Sequence, residues 1–111
     1  MIVKRASLTM YKVFRTEEFE RCMRKLLTNE QQRRVDSIEE EIKEKGATGD
    51  PLGLPFLREK RIDDKRVYFL VYADLNTALM VSVSNKKAQQ QTIDAIKAFL
   101  PQFRGLIERL T

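Results

Sequence analysis

Residues 56–87, FLREKRIDDKRVYFLVYADLNTALMVSVSNKK, leave little choice of local structure. Three short runs rich in Val, Tyr, Phe and Leu are separated by Asp63-Asp64 and by the Asp74–Thr77 segment, a pattern of strands joined by turns. It predicts strands over 56–62, 65–73 and 78–84. In the middle run Val67, Phe69, Val71 and Ala73 fall on one face, and Arg66, Tyr68, Leu70 and Tyr72 on the other. In the last run Leu79, Val81 and Val83 share a face. Both faces carry apolar residues, so both need a cover. Seven of the 21 Lys and Arg residues lie in this stretch, at the strand starts and beyond the last strand. A sheet with an apolar interior and a cationic rim suits a polyanionic partner.

The flanking segments supply the cover. Residues 11–15 read as a short strand. Thr16 is a helix N-cap residue followed by Glu17 and Glu18, and Phe19, Met23, Leu26 and Leu27 then share a helical face over 16–27. A second helix over 29–45 carries Val35, Ile38 and Ile42 and stops at Gly46. Gly49-Asp50-Pro51, Gly53 and Pro55 mark a loop. After Asn85-Lys86-Lys87 a last helix starts near Ala88, with Ile93, Ile96 and Leu100 as its stripe. Pro101 interrupts it, and 102–110 can form a further short helix. The expectation is an α+β fold of order β-α-α-β-β-β-α, a small antiparallel sheet packed by an N-terminal helical hairpin. One domain spans 1–111, with a basic N-terminal extension at 1–9 and a C-terminal helical extension at 101–111.

Composition excludes several classes of function. The longest apolar run, residues 67–73, is too short to span a bilayer, and the first ten residues lack the apolar core of a secretion signal. The single cysteine, Cys22, cannot form an internal disulfide, which points to the cytoplasm. With no histidine and one cysteine, neither a zinc site nor another cofactor is expected. Net charge is +5, unevenly spread: residues 16–50 hold seven basic and ten acidic residues, residues 51–87 seven and four. Any chemistry must come from Lys, Arg, Tyr, Ser or carboxylates.

Tyr11-Lys12-Val13 followed by 16–27, the Gly-Asp-Pro-Leu-Gly loop at 49–53, the strand Lys65-Arg66-Val67-Tyr68-Phe69-Leu70-Val71-Tyr72 and the segment Val81–Lys87 follow one another in an order that resembles the RelE/ParE toxin superfamily. The resemblance covers roughly residues 10–100. It implies a RelE-like fold and an antitoxin protein as partner. RelE-type members cleave mRNA, most of them on the ribosome. ParE-like members poison DNA gyrase instead. By position Arg66 matches the arginine of the RelE strand, Arg58 and Lys60 match basic residues of the preceding strand, and Lys86 or Lys87 the basic residue after the last strand. Lys65 stands where the family has a tyrosine, and Thr92–Ile93 where bacterial RelE has its C-terminal tyrosine.

The resemblance implies an endoribonuclease in which the RNA 2′-OH attacks the adjacent phosphate. Arg66 is expected to be solvent-accessible and to stabilise the added charge, since a guanidinium can hold two phosphate oxygens. Lys60, set among other cations that lower its pKa, is expected to move a proton. Arg58, Arg61, Lys86 and Lys87 would bind flanking phosphates, and Tyr68 would offer a platform for a base. Arg61 has the alternative of pairing with Asp63 or Asp64, and Tyr72 that of packing under the last helix. The alternative function is a non-catalytic binding member of the fold, a ParE-like gyrase inhibitor or a degenerate toxin. A homo-oligomer is compatible with either.

Overall fold

The chain enters the sheet at Lys12 and leaves it at Asn85, and helices fill both faces between and after. The computed structural model describes residues 10–111, so the basic extension at 1–9 lies outside the described residues. Its elements are β1 (Lys12–Arg15), α1 (Glu17–Leu26), α2 (Asn29–Lys45), β2 (Asp50–Pro51), β3 (Leu57–Ile62), β4 (Lys65–Tyr72), a 3-10 turn (Ala73–Leu75), β5 (Thr77–Asn85), α3 (Gln89–Ala98) and α4 (Leu100–Leu110).

Local chemistry explains the helix limits. The Thr16 hydroxyl accepts from the Phe19 N–H at 2.9 Å and caps α1. Thr28 and Gln31 form a reciprocal capping box that starts α2 after a two-residue break from α1. Gly46 ends α2 with φ +73°, and a Cβ there would lie 2.6 Å from the Tyr11 ring. Arg15 then ties β1 to both helices. Its guanidinium meets Glu39 with two prongs at 2.8 and 2.9 Å, and reaches Glu20 and Asp36 at 3.1 Å each.

The sheet has the order β1-β5-β4-β3-β2. Strands β2 to β5 pair antiparallel, but β1 pairs parallel with β5, Lys12 opposite Thr77 and Arg15 opposite Met80. The sheet is therefore mixed, not wholly antiparallel as expected, and contains the additional short strand β2. Tight turns enforce antiparallel pairing between β3, β4 and β5. No such constraint acts on β1, whose chain returns only after two helices.

The two faces of β4 fall as the alternation predicts. Val67, Phe69 and Val71 pack against Phe19, Met23, Val35, Ile38 and Ile42 of α1 and α2. Leu27 is buried with them, whereas Leu26 is half-buried. Tyr68, Leu70 and Tyr72 pack against Ile93, Ile96 and Ile107 of α3 and α4. The last strand differs from expectation. Tyr68 pairs with Ser82 and Phe69 with Met80, so Val81 is an extra residue in β5. This bulge sends Leu79 and Val81 to the α3 face but returns Val83 to the α1 face. The expectation that all three share one face is corrected. Ala73, expected in the strand, instead opens the 3-10 turn, which closes at Asn76 in the left-handed region. Among the described residues no helix is long and apolar enough to cross a membrane.

Candidate nucleic-acid interface

The turn between β3 and β4 fixes which basic residues meet. Only Asp63 and Asp64 separate Ile62 from its partner Lys65, so Arg61 lies opposite Arg66, Glu59 opposite Tyr68 and Leu57 opposite Leu70. Odd residues of β3 thus share the α3 face with Arg66. Even residues, Arg58 and Lys60, point to the α2 face. The expected reacting pair is therefore split: Lys60 and Arg66 lie on opposite sides of the sheet.

Lys60 does not sit among cations either. Its Nζ pairs with Glu41 Oε1 of α2 at 2.9 Å. That bond, followed by one from the Thr48 hydroxyl, holds the Glu41 carboxyl below its usual range. The expected cluster of cations around Lys60 is thus replaced by a carboxylate. Arg58 is committed to structure. Its guanidinium donates to the backbone carbonyls of Thr48, Gly49 and Pro55 at 3.0, 2.8 and 2.9 Å, holding the loop before β3. Neither side chain is placed to contact a phosphate held by Arg66.

Arg66 is only 4% exposed, so the expected open position is corrected: α3 closes over this face. Its Nε is buried without a hydrogen bond and lies 3.7 Å from Glu59 Oε1. Glu59, also buried, accepts instead from Gln89 Nε2 in the first turn of α3 at 2.7 Å. Tyr68 is fully buried and cannot stack on a base. Its hydroxyl lies 2.8 Å from Ser84 Oγ, which donates onward to the Asn85 carbonyl at 2.9 Å, so Tyr68 is the donor. Burial pushes the Tyr68 phenol up. Tyr72 packs between Phe56 and Arg104, taking the expected place under the last helices. Burial pushes its phenol up to about 12.

The exposed cations at this end of the sheet are Arg61, Lys86 and Lys87. Asp63 pairs with Arg34 and Asp64 with Lys65, so among the described residues neither neutralises Arg61. The two lysines occupy the turn that carries the chain from β5 onto the Arg66 face, because Gln89 already reaches Glu59 there. Asn85 Oδ1 accepts from the Ala88 N–H at 2.9 Å and fixes this turn. Thr92 donates to the Ala88 carbonyl at 2.8 Å. It also lines a cleft of about 670 Å3 between α1, β5 and α3. A second, apolar cleft of about 500 Å3 lies at the far end of β4, around Phe56, Tyr72, Leu100 and Arg104, away from these charges.

The arrangement is a sheet end with three open cations and a covered guanidinium whose Nε makes no hydrogen bond. No family model and no curated protein matches the sequence. Solved structures do. A mutant of the Escherichia coli toxin RelE in the free state superimposes with a TM-score of 0.69 over 82% of this chain and 99% of that one, at 18% identity. The chain has the RelE toxin fold. The isolated E. coli RelE toxin gives 0.60 over 81% of this chain and 99% of that one, at 16% identity. The Mycobacterium tuberculosis toxin–antitoxin complex RelBE2 gives 0.53 over 69% and 92%, at 15% identity. On this RelE fold, sequence reasoning missed Glu59, Ser84 and Gln89. The signal for Glu59 was available: a two-residue turn puts odd β3 positions beside Arg66.

Proposed function

We infer that the protein is the toxin of a toxin–antitoxin pair and acts as a metal-independent endoribonuclease on mRNA. The observation that carries this reading is Arg66, a buried guanidinium whose Nε makes no hydrogen bond, in a RelE fold whose same sheet end carries Arg61, Lys86 and Lys87. A buried guanidinium N–H left without an acceptor is costly, and a bound anion can supply one. In the reaction the 2′-OH attacks phosphorus in line with the departing 5′-oxygen, and Arg66 holds the charge that gathers on the phosphoryl oxygens. Arg61, Lys86 and Lys87 bind the neighbouring phosphates. Lys60 has no part in this, since it faces α2. For RNA to reach Arg66 the first turn of α3 must shift. Ala88 gives that turn no side-chain cap, and the Gln89–Glu59 bond is the contact to be broken.

The RelBE2 neighbour is a complex with an antitoxin. A protein antitoxin is accordingly the proposed partner here, and Phe99, 54% exposed, offers it an apolar contact. A second reading, binding without catalysis, is favoured by the burial of Arg66 and by the burial of both β4 phenols. Induced expression with mapping of mRNA 5′ ends separates them. Cuts within translated codons support the nuclease. Intact mRNA with induction of the DNA-damage response supports a gyrase inhibitor.

A further inference from the structure

The proposed reaction needs a group to take the 2′-OH proton, and the sheet leaves one candidate beside Arg66. The geometry points to Glu59 as that general base, a catalytic residue in place of the expected lysine; this rests on the nuclease reading above. Glu59 follows the same alternation as Arg61 on β3, and its Oε1 lies 3.7 Å from the Arg66 Nε. The contact is too long for a hydrogen bond, so the carboxylate is not consumed by Arg66. Gln89 occupies Oε1 at 2.7 Å, and Oε2 accepts no hydrogen bond from a described residue. Gln89 thus holds this carboxylate while α3 is closed, and the shift of α3 that admits RNA releases it. Asp63 and Asp64, the remaining carboxylates at this end, are tied to Arg34 and Lys65.

The step balances without a further reactant. The 2′-OH proton passes to Glu59 Oε2 as the O2′–P bond forms. The P–O5′ bond breaks, leaving a 2′,3′-cyclic phosphate. The departing 5′-oxygen takes a proton from solvent, and Glu59 returns its own to solvent.

The test is single-turnover cleavage of a model mRNA bound in a purified ribosome, from about pH 5 to about pH 8. Wild type should hold its rate across most of this range and slow only toward about pH 5, as a single carboxylate base titrates. Glu59→Gln keeps the size and the Gln89 contact. It should fold, bind the programmed ribosome as wild type does, and cleave about 100- to 10,000-fold more slowly with the acid limb gone. Glu59→Asp should retain the limb at a lower rate, and Lys60→Met should match wild type throughout. A folded Glu59→Gln protein with the rate and pH profile of wild type overturns the assignment while leaving the nuclease reading intact. Loss of the acid limb in Lys60→Met instead would also overturn it. A wild-type protein that cuts no mRNA in this assay overturns the nuclease reading and the assignment with it.

Discussion

Arg58 and Arg66 carry the same charge and are engaged in opposite ways. Arg58 donates to three backbone carbonyls of one loop, whereas Arg66 is buried with its Nε unsatisfied. Arg58→Ala should therefore cost about 1–3 kcal/mol in urea unfolding, because buried acceptors lose charged donors, and should leave RNA affinity unchanged. Weakened RNA binding with unchanged stability would contradict that role. Lys60 allows a second check through pH. Its hydrogen bond is the main reason Glu41 is depressed below the usual 4.5. A carboxyl depressed in the folded state adds stability above its unfolded value and loses it as pH falls through the folded value. Wild type should exceed Lys60→Met in stability above about pH 4.5, with the difference closing under stronger acid. A difference that grows on acidification would contradict the pairing. At this scale the residue types of the site were legible in the sequence, but their partners were not. A basic residue in a strand looks the same in sequence whether it meets carbonyls, a carboxylate or solvent. Only the strand register, set by a turn two residues long, assigned Glu59 to the Arg66 face and Lys60 to the other.

The elements themselves were legible wherever period and caps agreed. Thr16, Thr28 and Gly46 bound the first two helices close to where their side chains and φ values dictate. Gly46→Ala should destabilise the protein by about 1 kcal/mol or more, since φ +73° is strained for alanine and the added carbon meets Tyr11. An unchanged melting temperature would mean that Tyr11 yields freely. The strand β5 shows where the pattern misleads. Strict alternation places Val81 and Val83 together, but the bulge at Val81 breaks the period. The sequence LMVSVS contains no glycine or proline to announce it. Likewise nothing in residues 12–15 reveals parallel pairing, because direction is set by the path through α1 and α2 rather than by the strand.

At the scale of the molecule, the chain divides its charge. Arg15 gathers Glu20, Asp36 and Glu39 on the helical side, and Arg61, Lys86 and Lys87 stand open at the β3–β4–β5 end. The uneven charge along the sequence foretold a basic sheet end, and the order of elements pointed to the fold. A C-terminal cover for the second face was foretold, but not that it would close over Arg66. If that end binds RNA, Lys86→Gln and Lys87→Gln should each weaken binding. Each should flatten the plot of log affinity against log salt by about 0.7 for a single strand. An unaltered slope would place the RNA elsewhere. The central claim is that Arg66 stabilises charge that appears only as the phosphate is attacked, and the rate of mRNA cleavage by Arg66 variants tests it most directly. Folded Arg66→Ala should cleave about 100- to 1000-fold more slowly than wild type. Arg66→Lys should recover little, because a point charge cannot replace a two-pronged contact. An Arg66→Ala protein that is folded and cleaves as fast as wild type would contradict the account.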